Sequence, residues 1–201
     1  RPTLVQQYKA ALDVAQGMEH LHTHFEKGAK GRESKVTLPV IHRDLKSPNI
    51  LLDRAPPLTP SAGDWPVEFK VSDFGLSRDK QLDTAEDKTG AMSGVGSVLW
   101  MAPEMLRGSS YNESVDVYSY AMVLVELYHW TMPWQDTGAR PHEVPHRVTN
   151  DERPHSQIRG APEELQQLIQ ECWHKYAIGC QTTRPVPHVQ LIPPCPPPDG
   201  A

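Results

Sequence analysis

The chain has 201 residues, of which 38% are hydrophobic and 22% are charged, and this size and composition suit one globular domain with a substantial core. Its formal net charge of −5 arises from interspersed acids and bases without a basic block, which argues against nucleic-acid binding. No apolar run is long enough to cross a bilayer and the three cysteines form no C-x-x-C pair, so we expect a cytoplasmic protein without a membrane segment.

The first half of the chain predicts one long helix and two short strands. Over residues 4–22 the apolar positions recur at steps of three and four, which is the spacing of one helix face. A polar stretch over 24–37 is predicted to be an exposed insertion. Residues 50–52 and 69–71 are short β-type runs on either side of the proline-rich segment 54–66, so they predict two strands joined by an enlarged loop.

The second half predicts two further helices and a tail. From Ser114 to Trp130 almost every residue is apolar or small, which indicates a helix buried on nearly all sides. Proline and two acids at 162–164 are typical of a helix start, and apolar positions continue this helix to Cys172. The prolines near the C-terminus lack amide donors and cannot continue a helix. We therefore predict one domain over residues 1–192 and a proline-rich, disordered tail over 193–201.

Three short motifs carry the chemical information. Residues 42–49 read His-Arg-Asp-Leu-Lys-Ser-Pro-Asn, which matches the pattern H-R-D-L-x-x-x-N at all five specified positions. Chance alone gives such a match in about one of ten thousand chains of this length. Asp-Phe-Gly at 73–75 and Ala-Pro-Glu at 102–104 follow in that order. Together the three motifs resemble the catalytic lobe of eukaryotic protein kinases.

The resemblance implies a fold class. We expect an α+β, protein-kinase-like fold, represented by the mainly α-helical large lobe with a short β-ribbon. The sequence has no G-x-G-x-x-G loop on a strand and no V-A-I-K-like lysine, so the smaller N-terminal lobe that holds ATP from the other side is expected to be missing. That lobe would be a partner on which ATP binding depends.

The resemblance also implies roles for the polar residues. Asp44 would orient the substrate hydroxyl and accept its proton, and Lys46 would contact the transferring phosphate. Asn49 and Asp73 would hold Mg²⁺, a hard cation that prefers oxygen ligands. Leu51 would form the apolar floor beneath the adenine ring. ATP and Mg²⁺ are therefore the expected cofactors.

Other residues are expected to shape the site from behind. By resemblance, His42 packs against Phe74, and Asp116 anchors the catalytic loop from the buried helix, with a helix N-cap as the alternative role. Glu104 and Arg184 are expected to form a buried ion pair. Two unrelated surface charges are the alternative, because an insertion at 176–183 lengthens the usual spacing before the arginine.

The segment over 96–104 reads Gly-Ser-Val-Leu-Trp-Met-Ala-Pro-Glu and is similar to the substrate-docking loop of the tyrosine-kinase-like group, which includes Raf and the mixed-lineage kinases. Ser97 and Trp100 are its candidate docking residues. Most members of that group phosphorylate serine or threonine, and Lys46, two residues after Asp44, matches this preference. Protein substrates with serine or threonine are therefore expected.

Arg43, directly before Asp44, indicates regulation by phosphorylation, because such an arginine can pair with a phosphate on the loop that follows the second motif. Thr89 or Ser93 is the predicted acceptor, with an unmodified, solvated hydroxyl as the alternative.

Two other function classes compete with a serine/threonine kinase. A kinase lobe can serve as a catalytically inactive binding or regulatory module, which a whole protein without an ATP-binding lobe would favour. A small-molecule kinase of the aminoglycoside type shares the aspartate and asparagine of the catalytic loop, but a small substrate needs no peptide-docking loop.

Overall fold

The computed structural model describes residues 3–23, 26–27, 36–37, 40–55, 67–73, 78–79, 97–154, 158 and 161–174. Within these ranges the chain is mainly helical and carries short pairs of antiparallel strands. The α+β class predicted from the sequence is confirmed. No helix in the described ranges is both long enough and apolar enough to span a membrane.

The helices of the described residues are α1 (Leu4–Thr23), α2 (Pro103–Leu106), α3 (Ser114–His129), α4 (Val144–Thr149) and α5 (Glu163–Cys172). The sequence predicts the long helices α1 and α5 from the spacing of their apolar residues and α3 from its nearly continuous apolar character, and these predictions are confirmed. The short helices α2 and α4 were not predicted. Each begins with a proline in its first turn and ends before two full turns, which leaves too few residues for a periodic pattern.

The strands form antiparallel pairs: β1 (Glu26–Lys27) with β2 (Val36–Thr37), β3 (Val40–Ile41) with β6 (Arg78–Asp79), and β4 (Ile50–Leu52) with β5 (Phe69–Val71). The β4–β5 ribbon confirms the two predicted strands. The pair β1–β2 lies inside the predicted polar insertion, whose other residues, like 56–66 of the proline-rich segment, lie outside the described residues.

Helix α3 forms the centre of the core and packs against both α1 and α5. The side chains of Val115, Ala121, Met122 and Val125 are fully buried, in agreement with a helix covered on nearly all sides. On its other face, α1 packs against β5. Gly17 permits this close approach, because a Cβ atom there would lie 3.3 Å from a methyl group of Val71.

A hydrogen bond between helices adds to the contact of α3 with α1. The hydroxyl of Tyr120 donates to the backbone oxygen of Ala11 at 3.0 Å, and burial raises the pKa of Tyr120 above its usual value. Replacing Tyr120 by phenylalanine is expected to lower the free energy of unfolding by about 1 kcal/mol, the net value of one such bond.

Urea denaturation of the two proteins measures this difference. Tyr8→Phe is the matched control, because the hydroxyl of Tyr8, also on α1, makes no hydrogen bond within the described part of the chain. An equal effect of the two substitutions would contradict a contribution from the Tyr120 bond.

Candidate active site

The catalytic loop over 42–49 is anchored on helix α3 by one buried carboxylate. Asp116 has 1% of its surface exposed, and its two oxygens accept hydrogen bonds from the backbone N–H groups of His42 and Arg43, each at 2.8 Å. Nε2 of His22 lies 2.9 Å from the same carboxylate. These donors offset the cost of burying the charge. The contact is the one that the resemblance implies, and Asp116 lies inside the helix rather than at its N-cap, which is Glu113.

No motif points to His22 as a partner of Asp116. The sequence offers one indication that His22 faces the core. It lies on α1 four residues after the buried Met18, and therefore on the same helix face. The backbone of Arg43 is also unusual, because its φ of 69° lies in the left-handed region. The carboxylate of Asp116 thus holds the loop in a turn that a non-glycine residue seldom adopts.

Directly after this turn, the structure brings together four polar residues that the motifs predict. Nζ of Lys46 donates to Oδ2 of Asp44 at 2.7 Å and to Oγ of Ser97 at 2.8 Å. Nδ2 of Asn49 donates to the backbone oxygen of Asp44 at 2.8 Å and to its Oδ2 at 3.1 Å. The Asp44 carboxylate is therefore fixed by two donors, and Lys46 connects it to the docking loop.

The second motif begins beside Asn49. Ser72 donates both its backbone N–H and its hydroxyl to the backbone oxygen of Asn49, at 2.9 and 3.0 Å. Asp73 follows with a φ of 62° and an exposed side chain. Nε2 of His42 lies 3.0 Å from the backbone oxygen of Ser72, which joins the two motifs a second time. The predicted packing partner of His42, Phe74, lies outside the described residues.

The residue types at this junction suit a magnesium ion, which prefers oxygen ligands. Because the amide nitrogen of Asn49 donates to Asp44, its amide oxygen is the atom that could face a cation. Asp73 directly follows Ser72, which donates to the backbone oxygen of Asn49. Mg²⁺ is commonly held by one or two carboxylates together with phosphate oxygens and water. Among the described residues no cluster of three or more His, Cys, Asp or Glu could hold a metal.

The predicted docking residues Ser97 and Trp100 have buried side chains, with 6% and 3% of their surface exposed. Ser97 accepts the bond from Lys46, and Nε1 of Trp100 donates to Oε2 of Glu126 at 2.7 Å. Both side chains thus support the docking loop from inside and do not themselves form an exposed contact. The hydroxyl of Ser119 in α3 adds a bond to the backbone oxygen of Trp100 at 2.9 Å.

No motif points to Glu126, which also accepts a hydrogen bond from the hydroxyl of Ser47 at 2.8 Å. Its signal in the sequence is an acid that follows the apolar run over 121–125 of α3. Burial raises the pKa of the Glu126 carboxyl to about 7, although the hydrogen bonds from Ser47 and Trp100 act in the opposite direction. A group with this pKa is partly protonated at neutral pH.

The remaining predicted residues lie outside the group of contacts around Asp44. Leu51 projects from β4 with 54% of its surface exposed, and the buried Arg43 donates from its guanidinium to the hydroxyl of Tyr111 at 2.9 Å. Glu104 is buried at the start of α2. Like Phe74, three further residues of the predicted set lie outside the described residues, namely the ion-pair partner Arg184 and the phosphate acceptors Thr89 and Ser93.

A partly buried arginine outside the motifs connects the later helices. The guanidinium of Arg153 lies 5.2 Å from the centre of the Tyr118 ring, and it donates to the backbone oxygens of Val148 and Trp173. Burial raises the pKa of Tyr118; Arg153 lowers it and Glu104 raises it. Arg153 therefore connects the ends of α4 and α5 to the central helix α3.

Comparison with known proteins agrees with this geometry. Residues 1–178 match the family model described as protein tyrosine and serine/threonine kinase, so the chain belongs to the protein kinase family. The kinase-like fold expected from the three motifs is thereby confirmed.

Three individual relatives show how similar this chain is to known kinases. The chain is 34% identical over 167 residues to a probable serine/threonine-protein kinase of Dictyostelium discoideum, which covers 83% of the chain and 15% of that relative. It is 34% identical over 163 residues to the serine/threonine-protein kinase VIK of Arabidopsis thaliana, covering 81% of the chain and 32% of the relative. A dual specificity protein kinase of Dictyostelium, splA, is 37% identical over 170 residues, covering 82% of the chain and 6% of the relative. The chain thus spans less than a third of the length of each.

Proposed function

We propose that this chain carries the catalytic half of a serine/threonine protein kinase of the tyrosine-kinase-like group, which transfers the γ-phosphate of ATP to protein hydroxyls. The observation that carries the proposal is the chain of contacts from Asp44 to Lys46 and on to Ser97, at 2.7 and 2.8 Å. It joins a carboxylate that can accept a proton, a cation that can face a phosphate, and the loop on which a peptide would lie.

Each group has one task in the transfer. Asp44, held by Lys46 and Asn49, would orient the substrate hydroxyl and accept its proton as the oxygen attacks phosphorus. Nζ of Lys46 would stabilise the negative charge that develops on the transferred phosphoryl group. Asn49 and Asp73 would hold Mg²⁺, which neutralises phosphate charge when bound.

The surface of the β4–β5 ribbon supports an ATP site with two sides. Leu51 and Leu52 are exposed on β4, although both are large and apolar. An adenine ring would cover Leu51, and an ATP-binding lobe would close over the nucleotide from the opposite side. Exposed apolar side chains are expected at a surface that a nucleotide covers when it is bound.

Regulation through Arg43 is part of the proposal. Its buried guanidinium contacts the hydroxyl of Tyr111, at a position where an arginine can also pair with a phosphate of the activation loop. Phosphopeptide mapping of active protein tests the assignment of the acceptor, which requires phosphate on Thr89 or Ser93.

The activity is tested by transfer of labelled phosphate from ATP to a generic protein substrate, followed by phosphoamino acid analysis. Phosphoserine or phosphothreonine is expected, and Lys46→Ala should lower the rate about a hundredfold by removing a charge that stabilises the transition state. Lys70→Ala, at an exposed lysine of β5, is the control.

Phosphotyrosine as the sole product would contradict the substrate class. Equal rates for the two lysine variants would contradict the role of Lys46. If the full-length protein transferred no phosphate to any substrate, the inactive binding module would become the better description.

A further inference from the structure

Helix α3 contacts the catalytic loop at two points, through the buried Asp116 and the partly buried Glu126. Asp116 holds the backbone of the loop at His42 and Arg43, and Glu126 accepts a hydrogen bond from the side chain of Ser47. The two acids are ten residues apart, or about 15 Å along the helix axis. The second acid therefore acts on the part of the loop that lies beyond Asp44.

Glu126 differs from Asp116 because it also contacts the docking loop. One carboxylate oxygen accepts from Ser47 at 2.8 Å and the other from the indole Nε1 of Trp100 at 2.7 Å. The two donors come from segments that are separated by more than fifty residues in the chain. One side chain thus forms a short bridge between the loop that would carry the chemistry and the loop on which a peptide would lie.

The environment of Glu126 disfavours the charged form of its carboxyl group. Burial is the largest influence on the Glu126 pKa, and no charged side chain of the described residues is among its causes. The catalytic loop carries Asp44 and Lys46, which pair with each other. The other ionisable residues of the catalytic loop, the docking loop and α3 are His42, Arg43, Glu104, Asp116, Tyr118, Tyr120, Tyr128 and His129. The carboxyl group therefore depends on the donors Ser47 and Trp100 for its stabilisation.

We propose that Glu126 is a positioning residue, which sets the docking loop through Trp100 in register with the catalytic loop through Ser47. The inference rests on the proposed kinase function and deepens it, because it concerns the binding of the peptide substrate. Loss of the carboxyl group would leave both donors without their acceptor. The peptide platform would then shift relative to Asp44, while the ribbon that carries Leu51 would stay in place.

Steady-state kinetics of the full-length protein tests this role with two substitutions at one site. Glu126→Ala is expected to raise the peptide KM about tenfold or more, the effect of losing a hydrogen bond to a charged group, with the ATP KM unchanged within about twofold. Glu126→Gln should recover most of the loss, because its amide oxygen can accept from Trp100 and its NH₂ group can donate to Ser47.

Glu163→Ala, at an exposed acid of α5, is the matched control and should leave both KM values unchanged. A peptide KM of wild-type size in Glu126→Ala would overturn the proposal. An equal rise of both KM values would also overturn it, because it would mark a general loss of structure.

A second measurement does not depend on kinase activity. In protein labelled with ¹⁵N-tryptophan, the indole resonance of Trp100, identified by its loss in Trp100→Phe, should change with a midpoint near pH 7 as Glu126 ionises. This change should be absent in Glu126→Gln. In Ser47→Ala the midpoint should rise, since the hydrogen bond from Ser47 lowers the pKa of Glu126.

The two measurements separate failure of the bridge from failure of the kinase assignment. If no variant transfers phosphate but the indole resonance follows Glu126 as described, the proposed function fails and the bridge stands. An indole resonance that is the same in the wild-type protein and in Glu126→Gln across this pH range would overturn the bridge, whatever the activity.

Discussion

Replacing Asp44 by asparagine is expected to lower the rate of phosphoryl transfer about a thousandfold, the scale of losing a general base. Asparagine has the same shape as aspartate, and its amide oxygen can still accept the bond from Nζ of Lys46. It cannot accept the proton of the substrate hydroxyl. The measurement is the initial rate of phosphate transfer to a peptide at saturating ATP.

The design of this experiment separates chemistry from folding. Asp53→Asn is the matched control, because Asp53 is a carboxylate at the end of β4 that is bound by Arg54 and by the backbone N–H of Glu68. The control should keep wild-type activity, and both variants should unfold at nearly the wild-type temperature. An Asp44→Asn protein that retained more than about a tenth of the wild-type rate would contradict the role of Asp44.

Replacing Asp116 by alanine is expected to lower the free energy of unfolding by about 3–5 kcal/mol and to abolish phosphate transfer. The backbone N–H groups of His42 and Arg43 are both buried and would lose their acceptor, and each orphaned donor costs about 1–3 kcal/mol. The left-handed turn at Arg43 would also lose its support. Urea denaturation of the full-length protein measures the change.

A milder substitution keeps this prediction testable if Asp116→Ala does not fold. Asp116→Asn retains one acceptor oxygen but turns an NH₂ group toward the second donor, so an intermediate loss of stability is expected. Asp136→Ala, in the short helical turn over 135–137, removes an exposed acid and should change stability by less than about 0.5 kcal/mol. A loss no larger in Asp116→Ala than in this control would contradict the anchoring role.

The parts of this fold that the sequence predicts are those with a local signature. Helices α1 and α5 repeat an apolar spacing over several turns, α3 is apolar on nearly all sides, and the three-residue runs of β4 and β5 lie on either side of a proline-rich segment. The pair β3–β6 has two residues in each strand, which is too short to show any alternation. Such pairs depend on tertiary packing and not on a local pattern.

The same distinction applies to the site. Asp44, Lys46 and Asn49 lie within six residues of one motif, so their spacing alone places them together. The partners of Glu126 lie 79 and 26 residues away from it. No local pattern connects such distant residues, and an acid in a mostly apolar helix indicates only that some donor must exist.

Side-chain direction is a further property that the motifs do not determine. The docking-loop motif correctly identifies Ser97 and Trp100 as a connected segment, but their burial follows from the donors and acceptors beneath the loop. The guanidinium of Arg43 is likewise directed by a hydroxyl on a separate segment, that of Tyr111.

The anchoring of the catalytic loop has a consequence for how the protein is made. Asp116 follows Arg43 by 73 residues, so a growing chain on the ribosome displays the catalytic loop well before the side chain that shapes it. At the usual rates of synthesis, about 5–20 residues per second, this interval lasts several seconds. Until α3 emerges, the backbone N–H groups of His42 and Arg43 have no buried carboxylate to bind, and the left-handed turn at Arg43 lacks its support.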